Sequence, residues 1–580
     1  MSESPAQHPG RTWLWQHAFL LIVIALSFLA ALPQLTSHSV ILGVDGLFHF
    51  NRFYDVATQL KQLNFHYFVA PYEYQGMGRM VNAIYGPFAA GFNGALLLLA
   101  GNYVKYQVLS RVVLSAVAAE CMYVALRRCR VTNLTAQAIA ILYPFTYQII
   151  MWNIRQSFMS WGAALMPLGV IVGVRMIENR EHPVNVWQMA IVMALLTQTH
   201  LISAAQIALM LFVYAIIALF RLPNRRDFLL KIGQAILLYL VLCANVIAGM
   251  VEVFMGNRIL GVGQVKDPSR KAFNVLVLHR SRYLILVVLV ASVIILLIGW
   301  RKLSFSTKVT ASLGAGFYVI SSVLLPWNAI FHLLPAISFI QFPSRFMAVG
   351  TVLLLVADGQ LLSTTILGRG WNGLLRLGIA GLGVLLIAVN GYSTLRHTQQ
   401  LFAVPRAIYP ARTYSAKELE NLRTAFNSSN LAKPLTLATK STPDYLPLQP
   451  NYKPTDNVFA AYEELDHVLY HRNGPHLYQT IGRQTTTLRW TGTKAQSLTL
   501  PVAMYRNTQA TLNRHAFQYR NNPKQTLRLA TVQSRAGQNT FTFHYQPRLL
   551  SRLLLWVATL GWIGTLVWWW RSRLTNSKKF

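Results

Sequence analysis

Acidic side chains are scarce in this chain: 18 Asp and Glu stand against 52 Lys and Arg over 580 residues, for a net charge of +34. Charged residues of both signs make up only 12%, about half the usual share in globular proteins, which excludes an ordinary soluble domain. Cysteine is nearly absent too. Cys121, Cys129 and Cys243 lie in or beside apolar runs with no CxxC spacing, so neither a disulfide framework nor a cysteine metal site is read from them. What remains is apolar, 54% hydrophobic with a mean hydropathy of +0.37. Many runs reach the ~18–20 residues needed to span hydrocarbon. The chain therefore reads as a polytopic α-helical membrane protein. Its basic excess has two sources. Part is the Lys/Arg bias of cytoplasmic loops. The remainder points to anionic lipid, a phosphate-bearing substrate or an anionic cell-envelope polymer, with no nucleic acid expected.

Spans are expected near 13–32, 105–126, 134–151, 157–177, 187–200, 201–220, 228–255, 283–300, 306–326, 344–366, 372–393 and 550–570, about 12 in all. The apolar run 83–101 is interrupted by Gly86, Pro87, Gly91 and Gly94. If it crossed, the basic clusters Arg127–Arg130, Arg175–Arg180 and Arg221–Arg226 would all fall outside; if it only dips in, all three fall inside. The positive-inside rule selects the second topology, with both termini cytoplasmic. Residues 1–393 then form a transmembrane domain with an outer loop 33–104. Residues 394–549 form an extracytoplasmic domain, and 550–580 the last span and a basic tail.

The segment 394–549 differs in kind. From about 480 its apolar runs are short and alternate (TTTLRWTG, SLTLPVAMY, TLRLATVQ, NTFTFHYQP), punctuated by turn residues such as Asn507, Asn521-Asn522-Pro523 and Gly537. That is the pattern of an antiparallel β-sandwich. Its first part, with AKELENLRTAF, looks helical or irregular.

The densest polar chemistry lies in Asp45–Pro87. Asp45 stands where a helix N-cap would, and on a helix His49 and Arg52 follow on the same face at i+4 and i+7. The apolar positions fall mostly elsewhere, as on a helix lying along a membrane surface. A loop built on Pro71, Gly76 and Gly78 then carries Glu73 and Arg79. Arg155, His200 and Arg345 map to the same outer rim on the expected topology. Within the spans, Arg111 and Glu120 read as an ion pair or as two residues with separate partners, and Asp358 lies deeper. One acid among several cations suits transfer from a lipid-phosphate donor. A carboxylate takes the acceptor proton and guanidinium groups hold the leaving phosphate.

These residues carry a resemblance. DGLFH-x-x-R from Asp45, then P-x-x-x-x-G-x-G from Pro71, Tyr85-Gly86-Pro87, Tyr143-Pro144, Arg155 followed by Pro167, Thr199-His200 and the IQFPSRF of 340–346 occur in order. The chain resembles bacterial membrane proteins labelled "6-pyruvoyl-tetrahydropterin synthase-related", which are similar to YfhO-like proteins and more distantly to GT-C glycosyltransferases. The pterin chemistry of that label has no support in these residues. The resemblance implies a GT-C-like fold and a catalytic acid in the first outer loop, matching Asp45, with His49, Arg52, Glu73, Arg155, His200 and Arg345 as substrate- and phosphate-binding candidates. It implies a polyprenyl-phosphate sugar donor and an extracytoplasmic acceptor; no cofactor is read from the residues, and metal dependence stays open. The family pattern places an acid a few positions after the rim arginine, where this chain has Ser160. Two other functions stay open: a lipid or polymer transporter with Arg111, Glu120, Glu252 and Asp358 along its path, or an inactive scaffold whose basic β-domain binds envelope polyanions.

Overall fold

The computed structural model describes residues 17–261, 265, 267–274, 283–363, 414–438, 442–452, 459–471 and 474–577, with a few positions between 385 and 396. Along the chain run α1 (Phe19–Thr36), α2 (Gly46–Gln62), α3 (Pro87–Ala100), α4 (Tyr103–Arg128), α5 (Asn133–Leu142), α6 (Tyr147–Arg155), α7 (Met159–Glu178), α8 (Val186–Thr199) and α9 (Leu201–Leu219). Then follow α10 (Arg225–Leu242), α11 (Ala244–Phe254), α12 (Tyr283–Gly299), α13 (Phe305–Ser321), α14 (Met347–Leu362), α15 (Ala416–Asn427), α16 (Ala460–Tyr470) and α17 (Leu549–Ser577).

Among the described residues, seven helices are long and apolar enough to cross a membrane, or eight if α10 and α11, bent by 63°, count as one broken span. This is a multi-pass membrane protein, and its described residues contain fewer full-length spans than the twelve expected from the sequence. Helices α12 and α13 reach 17 residues and α8 only 14, while most of 372–393 lies outside the described residues. Helix α3 also has 14 residues. At ~1.5 Å per residue it measures about 21 Å, short of a ~30 Å hydrocarbon core. The glycines read as interruptions do local work instead: Gly86 adopts φ 62° just ahead of Pro87, the first residue of α3.

Two compact units emerge. The first comprises 1–44, 107–235 and 265–401. Its centre is α7, which packs on α9 through a row of glycines. A Cβ on Gly162, Gly169 or Gly173 would strike Ser203, Ile207 or Tyr214 at 2.2–2.6 Å. Small residues let helix backbones approach where lipid supplies no hydrophobic drive. Helices α13 and α14 use the same device at Gly314 and Gly350. Arg111 and Glu120 take separate partners: Arg111 donates to the Ala30 carbonyl at 3.0 Å, and Glu120 lies 3.2 Å from His17. Asp358 accepts from Ser292 at 2.5 Å.

The second unit comprises 45–106, 236–264 and 402–580, so the outer loop groups with the C-terminal segment rather than with a linear 1–393 domain. Gly94 of α3 receives Val56 of α2. Phe50 packs on Tyr103, Tyr106 and Phe426. Helix α2 is thus covered on more than one face and is a packed helix, not one lying free on a surface. Glu252 of α11, fully buried, ties that helix to the base of α17: it accepts from Tyr545, from the Arg548 amide at 2.9 Å and from the Arg548 guanidinium at 3.3 Å.

The β-region forms as the alternation implied. Strands β1 (Tyr478–Ile481), β2 (Thr486–Gly492), β3 (Gln496–Ala503), β4 (Thr508–Leu512), β5 (His515–Phe517), β6 (Leu529–Ser534) and β7 (Gly537–Tyr545) pair antiparallel. They make a five-stranded sheet, β1-β2-β7-β4-β5, and a two-stranded β3-β6 ladder. The register of β3 shifts between Thr499 and Ala503, across Pro501, which has no N–H to donate. Leu488, Trp490, Leu500, Val532 and Phe541 fill the core between the ladders. Ahead of the strands, AKELENLRTAF is helical as α15, opened by a Ser415/Glu418 capping box.

Candidate functional site

In the second unit the site is built on α2 and the loop behind it. Asp45 immediately precedes the first helical residue and is exposed, but its side chain does not cap the helix. Its backbone sits at φ −114°, ψ 4°, away from the extended region that aims an N-cap oxygen at the free amides. His49 and Arg52, expected on its face, turn inward and are 1% and 0% exposed. His49 Nδ1 lies 3.3 Å from the Arg52 guanidinium. Arg52 donates to Asn82 Oδ1 at 3.0 Å and to the Tyr85 carbonyl, and stacks 4.6 Å over the Tyr85 ring. Burial pushes its guanidinium down to about 10, outweighing the attraction of Tyr85, Glu73 and Tyr445.

Glu73 pairs with Arg79. Both side chains are fully buried, with Nε–Oε1 at 2.7 Å and Nη2–Oε2 at 3.2 Å. Arg79 also donates to the Thr442 carbonyl at 2.6 Å and stacks over Tyr74. Burial alone would lower its pKa, but the Glu73 charge overrides that and raises it. The loop between them is clamped from the C-terminal segment. Gly76 and Gly78 hold φ of 73° and 72°, with Gln479 and Phe543 over them. Ala503 donates to the Met77 carbonyl at 2.9 Å, and the Met80 amide donates to the Tyr505 hydroxyl at 3.1 Å. The Gly-x-Gly pattern therefore serves a tight, covered turn.

Several functional candidates in this unit escaped the sequence reading. Asp55, three residues past Arg52, is fully buried and accepts from the Tyr72 amide at 2.9 Å and Gln59 at 2.8 Å. Burial and the nearby Glu73 charge raise its carboxyl well above the usual range. Tyr445 lies with its ring 6.4 Å from that of Tyr85. Tyr462 donates to Asp444 at 3.3 Å. Burial raises the Tyr462 hydroxyl, and the charges of Asp444 and Asp45 add to the shift. The Arg52-x-x-Asp55 spacing was the one visible signal; the tyrosines come from sequence hundreds of residues away.

In the first unit, Arg155 is exposed at the end of α6, where Gln156 takes a left-handed φ of 57°. Val44 donates to the Arg155 carbonyl at 3.1 Å, and Gly43 packs so closely on it that a Cβ would lie 2.4 Å away. Asn153 Oδ1 and Gln156 Oε1 are buried with no hydrogen-bond partner. Ser160, where the family pattern has an acid, donates to the Gln148 carbonyl at 2.7 Å. His200 ends α8 and caps α9: its Nδ1 accepts from the Ser203 amide at 3.2 Å. Arg345 donates to the Ile340 carbonyl at 2.9 Å and to Gln341 Oε1 at 3.2 Å, bracing its own turn. No group of three or more His, Cys, Asp or Glu able to hold a metal ion occurs among the described residues.

No family model matches the chain, and no curated protein matches it. Among solved structures, the Archaeoglobus fulgidus oligosaccharyltransferase in complex with Zn and sulfate aligns with 78% of this chain at 13% identity and a TM-score of 0.30. The match covers 61% of that protein's length, and a superposition at this score does not define a common fold.

Proposed function

We propose that this protein is a membrane-embedded glycosyltransferase-like enzyme that moves a sugar from a polyprenyl-phosphate donor to an extracytoplasmic cell-envelope acceptor. The supporting observation is the exposed Asp45 carboxylate at the start of α2, whose following turns bury His49 and Arg52 beneath Tyr85. A carboxylate at an exposed position can accept the acceptor hydroxyl's proton while the bond between sugar and phosphate breaks, and Arg52 adds buried positive charge two turns further along the same helix. Arg155, exposed at a helix end, and Arg345 are the candidate phosphate-binding residues of the first unit. His49 braces Arg52, Glu73 holds the loop through Arg79, and His200 caps α9.

Transport is disfavoured by a specific finding. Arg111, Glu120, Glu252 and Asp358, the residues that would mark a path, each have a local partner within their own unit. The test is cellular: mass spectrometry of envelope polymers from a deletion strain should show one glycan substituent lost and restored by the intact gene. Polymers unchanged in the deletion strain would remove the transferase reading.

A further inference from the structure

A second polar feature lies wholly within the first unit and uses none of the candidate site residues described above. It is a cleft of about 450 Å³ between the ends of α4, α7, α9 and α14 and the start of α13. Arg130, Arg221 and Lys302 line it, with Glu178 as the single acid. Arg130 and Glu178 form only a long pair, 3.7 Å, and the Arg130 side chain is 82% exposed. Arg221 lies flat on Phe305, 3.8 Å above the ring. The floor is the first turn of α13. Ser304 accepts from the Thr307 amide at 3.1 Å, so the helix begins here with its positive dipole end facing the cleft. Ser306, 6% exposed and lining the cleft, has a hydroxyl with no hydrogen-bond partner. Gln360 donates to the Cys129 carbonyl at 3.1 Å, which leaves its Oε1, also buried and without a partner, as an acceptor on the opposite wall.

A helix start alone would not make a site. Here three cations surround it and a buried hydroxyl donor remains unspent, while Gln360 Oε1 asks for a donor from the ligand. A phosphate ester bearing a hydroxyl meets both needs: its anionic oxygens take Ser306, Lys302 and Arg221, and its hydroxyl donates to Gln360. We propose that this cleft binds a glycerophosphate group, presented either as the headgroup of an anionic phospholipid or as a free phosphate ester. Phe220 and Phe305, 76% and 44% exposed at this end of the bundle, fit a cleft bordered by acyl chains. Basic pockets between helices are sites of this kind on the cytoplasmic side, where the positive-inside rule places Arg130 and Arg221.

The test uses the full chain purified in a neutral detergent. Native mass spectrometry would titrate phosphatidylglycerol, phosphatidylcholine and glycerol 3-phosphate against wild type, Lys302→Ala, Ser306→Ala and Arg225→Ala. Arg225 lies near this end of the bundle but does not line the cleft, so it controls for general charge. Phosphatidylglycerol should bind more tightly than phosphatidylcholine, and Lys302→Ala and Ser306→Ala should each weaken it about tenfold, the scale of one charge-assisted hydrogen bond. Arg225→Ala should leave it unchanged. Glycerol 3-phosphate binding that the same two substitutions weaken assigns the soluble source; phosphatidylglycerol binding alone assigns the lipid. Equal binding of both lipids with no glycerol 3-phosphate bound, or an equal loss in Arg225→Ala, would overturn the site.

Discussion

Replacing Glu73 by glutamine should be among the most destabilising single changes in the loop behind α2. Both members of the Glu73–Arg79 pair are fully buried, and two hydrogen bonds at 2.7 and 3.2 Å join them. Glu73→Gln keeps the volume and removes the charge, leaving a guanidinium without water and without its counter-ion. Breaking a buried pair from one side costs about 3–5 kcal/mol, whereas replacing both members by apolar groups is often close to neutral. Arg79 additionally donates to the Thr442 carbonyl, so its own removal leaves that oxygen short of one donor. The double variant Glu73→Gln/Arg79→Met should therefore be clearly more stable than Glu73→Gln alone, while remaining below wild type. Thermal unfolding of the detergent-purified chain, followed by intrinsic fluorescence, gives the ordering. Strictly additive losses in the double variant would refute the claim that the pair, rather than each residue's packing, sets the cost.

Three further expectations use the same structure. Gly76→Ala meets Gln479 at a positive φ of 73°, whereas Gly101→Ala at the same φ meets open space; the first should lower the unfolding midpoint more, and equal shifts would show strain alone at work. The raised pKa of Asp55 means the folded state holds this proton more tightly than the unfolded chain, so its contribution is greatest below the normal carboxylate pKa and declines as pH rises; the stability of wild type relative to Asp55→Asn should fall from pH 4 upward, and a flat or rising difference would contradict the burial argument. Single cysteines at Lys61 and Lys105, both exposed, should both react with an impermeant thiol reagent in intact cells if α3 does not cross; Asn102, which is buried and bonded to the Asn427 carbonyl, is unsuited to the same test. Labelling at Lys61 alone would place the two loops on opposite sides.

The alternation of Thr486–Gly492 and of Gly537–Tyr545 was readable because each strand presents one buried face, and period two records that directly. Strands β1 and β5 were not readable: both are short and mostly exposed, so no apolar pattern marks them. The α10–α11 stretch reads as one span in the sequence because the residue at the bend is Cys243, neither proline nor glycine, and the second segment is held by Glu252 through contacts near residue 548. Long apolar runs showed in the sequence where helices lie, but not how many residues each keeps in helical form, hence the shorter α8, α12 and α13. Around Asp45 the helix itself was legible and its side-chain directions were not. His49 and Arg52 follow Asp45 within two turns, yet what packs against them is Tyr85 and Asn82, and no local periodicity encodes those partners.

In the proposed transferase, Asp45 is the general base. Asp45 is exposed and its side chain does not cap α2, so Asp45→Asn should change the protein's level in the membrane and its unfolding midpoint only slightly. In membranes holding equal amounts of each form, transfer from a panel of polyprenyl-phosphate sugars should then fall by about 10²–10⁴-fold in Asp45→Asn, the usual worth of a general base. Wild-type transfer that persists undiminished in Asp45→Asn would contradict the assignment of this carboxylate as the base.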